Sequence, residues 1–360
     1  MPISALAEKP EDLLEIADVD QLKIARITAA LKADAASMDR TEARYLVDAY
    51  YQTQEARKRS ANQKRSGDGQ DEPAYPIIDW LAAHMATLEL RIKNLLGAYA
   101  AAHPVGLWSQ SIVGVGPVIS AGLLAHIDIR KAPTVGHIWR FAGLDPTLKW
   151  YGTEGARELV KDVLGRTTGA IEWEDIAAIG EATGRHPDNI LALMVRPTPA
   201  GKTQPMTAPT LIAVLARKPW NGDLKTLCWK IGECFVKVSG HEEGFYGHLW
   251  AQRKAEETAR NDRGEYADQA AAILAGKKWK VKEASDEDAE RDYKTAAEWY
   301  AQGKLPPAHI HARAKRWAVK LFLAHWHEVA YKAEFGKMPP KPYILEHGHA
   351  HRIEVPNALE

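Results

Sequence analysis

Ser111-Ile-Val-Gly-Val-Gly-Pro-Val-Ile-Ser-Ala-Gly-Leu-Leu-Ala-His126 is the stretch whose reading decides the fold of this chain. Two glycines flank one valine, a proline follows at once, and apolar residues stand before, between and after them. A helix arriving from Trp108 stops abruptly at Gly114, because glycine tolerates backbone angles and close approaches that a side chain blocks. Pro117 then suits the first position of a new helix, where a missing N–H leaves no hydrogen bond unmade. Val115 is placed to plug the turn into a core, and Ile119, Leu123 and Leu124 to bury one face of the second helix. The pattern is a helix-hairpin-helix. Amides around Gly114, Val115 and Gly116, with the positive end of the helix that Pro117 opens, make a site for a phosphate oxygen. Such a site grips a nucleic-acid backbone without reading bases.

Phe141-Ala-Gly-Leu-Asp-Pro146 follows downstream. Together the two segments resemble the C-terminal domain of the bridge-RNA-guided, DEDD-type insertion-sequence transposases, in which a helix-hairpin-helix precedes an alanine-glycine-leucine-X-proline turn. The resemblance is specific over Ser111 to Pro146 and looser over Asn221 to Val238 and near the C-terminus. It implies a coiled coil leading into a DNA-binding domain, a RuvC-like nuclease domain with four acidic residues, and a serine nucleophile three residues before a glycine-led helix. The last two expectations fail against the residues. The first 76 positions hold no alternating β-branched run ending in aspartate, and an RNase-H-like domain needs on the order of 150 residues. The glycine-led helix has a counterpart in Gly222-Asp223, after which Leu224, Leu227, Ile231, Phe235 and Val238 build one apolar face. The serine position holds Pro219, which has no nucleophilic atom.

With 360 residues the chain is long enough for two or three modest domains. Its 47 Lys and Arg are balanced by 47 Asp and Glu, so nucleic-acid affinity must come from local patches. Cys228 and Cys234 are too few for a disulfide framework or a zinc site, and a reduced, cytoplasmic protein is expected. Asn94 to Ile127 carries no Asp, Glu, Lys or Arg, yet Pro104, Gly106, Gly114, Gly116 and Pro117 interrupt it, so it reads as no membrane helix. The start has no basic-then-apolar leader.

Residues 1–103 read as a helical hairpin or coiled coil. Glu11 to Arg59 is helical in pattern, with Asp39 and Glu42 spaced as a capping box. The basic, glycine-bearing segment 57–69 breaks the periodicity and predicts an exposed loop, a solvated linker or an arm along phosphates. Leu81, Met85, Leu88, Ile92, Leu95 and Tyr99 then form a heptad seam. Its partner is either the preceding helix folded back or a second copy in a homodimer.

The helix-hairpin-helix domain is placed at 104–165, with Lys149 beside Trp150 and Tyr151 as a further phosphate contact. A helical insertion follows at 166–215, closed by a four-proline connection from Arg196 to Pro209 that excludes a continuous helix. Within it Gly180, Gly184 and Ile190 stand at helix-turn-helix offsets, with Arg185 and His186 opening the second helix and Thr183 at a position usually apolar. The region 216–345 is charged and helical, with runs at Arg253 to Glu257 and at Ser285 to Asp292 expected on exposed helix faces. Its last helix is bounded by Pro306-Pro307 and Gly336. There His309, Arg313, Arg316, Lys320 and His327 recur as one basic stripe, beside Trp317, Leu321 and Ala324 facing the core.

Residues 346–360 form a histidine-rich tail. Two histidines two apart on a helix point roughly 200° from each other, so neither His309/His311 nor His325/His327 can chelate one ion. His347, His349 and His351 can approach one another, but no cysteine or metal-motif spacing supports them, and neither metal nor cofactor is expected. The expected fold is all-α. The expected function is non-catalytic DNA-backbone binding through Gly114, Val115, Gly116, Pro117, Lys149, His309, Arg313, Arg316 and Lys320, with structured RNA or a nuclease-bearing transposase as further partners. The alternatives are an active recombinase using Ser111, Ser120 or Ser239, and an RNA-binding or scaffold protein that keeps only the fold.

Overall fold

A computed structural model describes residues 26–67, 76–197, 200–276, 295–341 and 351–357. Among them the protein is all-α: fifteen α-helices and one short 3-10 turn, with an isolated antiparallel bridge between Ala170 and Thr207. The acidic run at Ser285 to Asp292 and the helical pattern from Glu11 to Arg26 lie wholly or almost wholly outside the described residues. The chain divides into two compact units, with Trp139–Lys225 inserted between the two parts of the other. The inserted unit therefore starts earlier than the boundary expected at residue 166.

In the larger unit α1 (Ala29–Ala36) precedes α2 (Arg40–Gly67). Asp39 fixes the start of α2, its carboxylate accepting the amides of Thr41 at 2.7 Å and Glu42 at 2.8 Å, which satisfies two first-turn donors. α2 and α3 (Pro76–Ala101) form an antiparallel arm. Two sequence expectations are corrected here. The basic segment is no loop up to Gly67: α2 continues through it, because Arg57 is buried and pairs with the buried Glu89 of α3 at 2.7 Å. Residues 68 and 69 of the expected loop lie outside the described residues.

The seam is also rotated. α3 buries Ala82, Ala83, Ala86, Glu89, Ile92 and Leu96, while Leu81 and Leu88 are exposed and Met85 and Leu95 half-buried. Alanines let two helices approach closely, and Glu89 then reaches its counter-charge. Leu88, 40% exposed, is accordingly expected to tolerate aspartate, with a stability change within about 0.5 kcal/mol. Urea unfolding with light scattering checks this: a larger loss would place Leu88 in a buried contact, and a fall in mass alone would place it in a homodimer.

α3 runs into α4 (Pro104–Gln110), the hairpin, and α5 (Pro117–His126). Ile92, Leu96, Tyr99 and Ala100 of α3 pack with Val118, Ala121 and Ala125 of α5 and with Ala43 and Val47 of α2. A 3-10 turn (Ile129–Lys131) and α6 (Val135–Phe141) follow. α11 (Gly222–Lys237) begins within the last residues of the insertion, and α12 (Phe245–Asp262), α13 (Ala267–Ala275), α14 (Ala296–Ala301) and α15 (Pro307–Phe335) follow it. α15 ends at Gly336, whose φ of 66° stops the helix in the left-handed region. An aromatic cluster centres this unit: Phe322 of α15 stacks on Trp108 of α4 at 5.8 Å and meets Phe235 of α11 and Tyr246 of α12 edge-on. As expected, Leu224, Leu227, Ile231 and Phe235 form the buried face of α11; Val238, the fifth residue expected on it, follows the helix and is half-buried.

In the inserted unit α7 (Gly152–Leu164), α8 (Trp173–Thr183), α9 (Pro187–Met194) and α10 (Ala208–Ala216) surround Val160, Ile176, Ile179, Ile190, Met194 and Leu211. The proline-rich connection before α10 is irregular where described. No helix of the described residues is long and apolar enough to cross a membrane.

Candidate nucleic-acid interface

The hairpin takes the form its residues require. α4 ends at Gln110 and Val115 is buried; contrary to the expectation that its amide faces a phosphate, that N–H donates to the Ile112 carbonyl at 2.9 Å and closes the turn. Gly114 holds a φ of 94°, and a Cβ there would stand 3.2 Å from Cγ2 of Val238, the residue after α11, so a glycine is needed for angle and for room. Gly116 is the N-cap of α5 and Pro117 its first residue. No side chain caps this terminus, and a Cβ on Gly116 would meet nothing within 4 Å. The first-turn amides of α5 thus open, with the positive end of its dipole, onto unfilled space.

That space is a cleft of about 430 Å³ between α2, α3, the hairpin and α11. Lys58 of α2, Lys93 of α3, and Lys230 and Lys237 of α11 line it together with Gly114, Gly116 and Pro117. The Lys230 ammonium sits 3.8 Å over the Tyr51 ring. Burial, and then the like charge of Lys58, hold Lys230 below the ordinary lysine range, which an arriving anion would relieve. Two carboxylates stand close by and are each matched: Glu55 pairs with Lys58 at 3.0 Å and Glu233 with Lys315 of α15. Trp229 lies at the rim, 58% exposed.

No family model, curated protein or solved structure matches the chain.

Of the residues singled out from sequence, Gly114, Gly116 and Pro117 line the cleft and Val115 anchors it from below. Lys149 belongs to the inserted unit, where it is exposed and lies 5.1 Å over Tyr151. Neighbouring Trp150 packs on its own unit, donating to the Ala216 carbonyl at 2.8 Å. The stripe on α15 does not form one free basic face. The run from Arg253 to Glu257, expected to be exposed, instead turns Glu257 inward as a buried carboxylate, and Arg313 closes on it at 2.9 Å and on Gln269 at 3.1 Å, because a buried carboxylate must be neutralised. His327 is buried and bonded to the Ala132 carbonyl at 2.8 Å. His309 is half-buried beside Tyr300, and burial lowers its pKa. Arg316 is exposed and Lys320 half-buried.

The lysines Lys58, Lys93, Lys230 and Lys237 were missed from sequence, although Lys230 and Lys237, seven apart, gave one signal of a shared helix face. The serines weighed as nucleophiles hold structural bonds or lie inside. Ser120 is fully buried, Ser239 donates to the Val236 carbonyl at 2.8 Å, and Ser111 donates to the Trp108 carbonyl at 2.7 Å. His347 and His349 lie outside the described residues, among which no three His, Cys, Asp or Glu gather in a metal-binding group.

Proposed function

We propose that this chain is a DNA-backbone-binding protein allied to the insertion-sequence transposases, and that it binds without cutting or joining strands. The observation that carries the reading is the uncapped terminus of α5 opening onto a cleft lined by four lysines. Phosphate oxygens accept from the helix amides while the ammonium groups neutralise neighbouring phosphates along the same strand. None of these groups reads a base edge, so contact through the cleft is insensitive to sequence. The resemblance over Ser111 to Pro146 agrees with such a role, and Pro219 at the family's serine position argues against covalent strand transfer.

The test is fluorescence anisotropy with labelled duplex over a salt series. Affinity is expected to fall with log salt by about 0.9 per phosphate neutralised. The double variant Lys230→Glu, Lys237→Glu is expected to weaken binding at least tenfold and to lower the slope by about 2. Gly116→Leu is a steric probe: a Cβ there meets nothing within 4 Å, so the side chain is expected to enter the cleft and block phosphate approach with little change in thermal melting. Unaltered affinity and slope in both variants would exclude the cleft. Incubation with supercoiled plasmid and Mg²⁺ completes the test, since a nick abolished by replacing one serine would make the chain a recombinase.

A second reading rests on Trp229, whose exposed ring at the rim offers an unpaired base a stacking surface worth about 1–3 kcal/mol. If Trp229→Ala weakens single strands or structured RNA tenfold and leaves duplex unchanged, the cleft takes single strands.

A further inference from the structure

The inserted unit carries a second pattern. α8 and α9 are joined by Gly184-Arg185-His186. Gly184 closes α8 with a φ of 64°, where glycine is favoured. A Cβ on Gly180 would stand 2.8 Å from the Arg185 carbonyl oxygen and 3.0 Å from Pro187 Cγ, so only glycine lets α9 cross α8 this closely. Ile190 of α9 is buried against Ile176 and Ile179 of α8. Thr183 satisfies its hydroxyl within its own helix, donating to the Ile179 carbonyl at 2.7 Å. A small residue, a turn glycine four later and an aliphatic plug six after that are the fixed points of a DNA-binding helix-turn-helix, whose second helix stands clear of the body.

The outward face suits that use. His186, Asp188, Asn189, Ala192, Leu193 and Arg196 are exposed along α9 and at its two ends. An open groove of about 740 Å³ runs beside the turn, lined by Arg140, Arg185, His186 and Asn189. Among the described residues neither Arg140 nor Arg185 has a carboxylate within 4 Å. Burial, and the like charge of Arg140, act together to lower Arg185. Two guanidinium groups in one groove, with Arg185 donating to the Lys149 backbone carbonyl at 3.5 Å, fit a phosphate. The acidic groups nearby are Glu181, in the groove wall, and Asp188, held 3.4 Å from His186.

We propose that α8 and α9 are a helix-turn-helix that reads duplex DNA, with α9 in the major groove and Arg140 and Arg185 on the flanking phosphates. Asn189 has the amide that pairs with adenine through two hydrogen bonds, Asp188 can accept from a cytosine amino group, and Arg196 can donate to guanine. The chain then has sequence preference from the inserted unit and backbone affinity from the cleft. This inference does not depend on the cleft reading, and the two fail separately.

The experiment is selection by the full-length chain from a library of random duplexes at about 0.15 M salt, followed by sequencing of the retained DNA. The wild-type chain is expected to enrich one short motif. Asn189→Ala with Arg196→Ala, both at exposed positions, is expected to reduce that preference about tenfold, leaving thermal melting and overall duplex retention in place. Lys230→Glu with Lys237→Glu is expected to do the reverse, lowering retention of every sequence while the residual bound DNA keeps the motif. The proposal is overturned if the wild-type chain enriches no motif, or if the same motif survives at the same strength in the Asn189 and Arg196 variant.

Discussion

Glu257→Ala is expected to cost the larger unit about 3–5 kcal/mol, the range for removing one partner of a buried ion pair. The carboxylate is 2% exposed and receives Arg253 at 2.5 Å, Arg313 at 2.9 Å and the Tyr266 hydroxyl. Burial pushes the acid up; the hydrogen bonds from Tyr266 and Arg313, with both positive charges, more than reverse this and hold it below the ordinary glutamate range. Its contribution is therefore present above the unfolded pKa and is lost as pH falls through the lower folded value. One turn along α12, Asn261 clasps both backbone groups of Leu305, accepting at 2.8 Å and donating at 3.0 Å. The inward face of α12 is thus polar where it meets the start of α15, and α13 is tied to it through Tyr266. Alanine would leave two guanidinium groups facing a void. Both arginines keep about a quarter of their side chains in water, which places the expected loss toward the lower end of the range. Glu257→Gln keeps volume and an acceptor and is expected to lose less. Urea denaturation followed by circular dichroism measures both, and an alanine loss under about 1 kcal/mol would show that the arginines find water at no cost.

The sequence was most legible where backbone geometry is written in residue type. Gly114 and Pro117 allow few local structures, and the same holds for Gly180, Gly184 and the Gly336 stop of α15. It was least legible where two solutions share one period. On α3, Leu81 and Leu88 repeat every seven residues, and so do Ala82 and Glu89. Periodicity cannot choose between these phases; the choice falls to Arg57, 32 residues earlier in the chain, which needs Glu89 and is itself embedded in a stretch that looks like a linker. The stripe on α15 failed for a related reason. A helix-surface pattern shows which side chains are neighbours, but not that a buried Glu257 on another helix will claim Arg313. The cleft was hidden because its lysines come from the neighbouring helices α2 and α3 and from α11, distant in sequence, and only Lys230 and Lys237 share an element.

Acid is expected to loosen the C-terminal segment before the rest of the unit, through His325. This ring is buried, with Nε2 2.9 Å from the Ile353 carbonyl oxygen and Nδ1 2.7 Å from the Tyr246 hydroxyl. A carbonyl only accepts, so Nε2 carries the proton and Nδ1 accepts from the tyrosine. Adding a second proton to Nδ1 removes the tyrosine's acceptor and places a charge among aromatic rings. Burial accordingly lowers His325 from 6.5 to about 4, although the Ile353 bond pulls the other way. Between these values the unfolded chain binds the proton and the folded one does not. Stability is therefore complete above about pH 6.5 and declines as pH falls toward 4, by up to about 3 kcal/mol at 1.36 kcal/mol for each pH unit. His327, lowered by burial, adds a slope of the same sign. The strain falls on residues 351–357, which His325 holds at Ile353 while Trp108 donates to the Pro356 carbonyl at 2.8 Å and Asn357 donates to the Ser111 hydroxyl at 3.1 Å. Those last two bonds end at the edge of the hairpin, so the segment braces α4 where it enters the turn. Hydrogen exchange at pH 7.5 and 5 is expected to show residues 351–357 and Ser111 to Ile112 losing protection at the lower pH. Urea unfolding is expected to show a positive slope of stability with pH that His325→Phe flattens; an equal slope in that variant would assign the acid sensitivity to other groups.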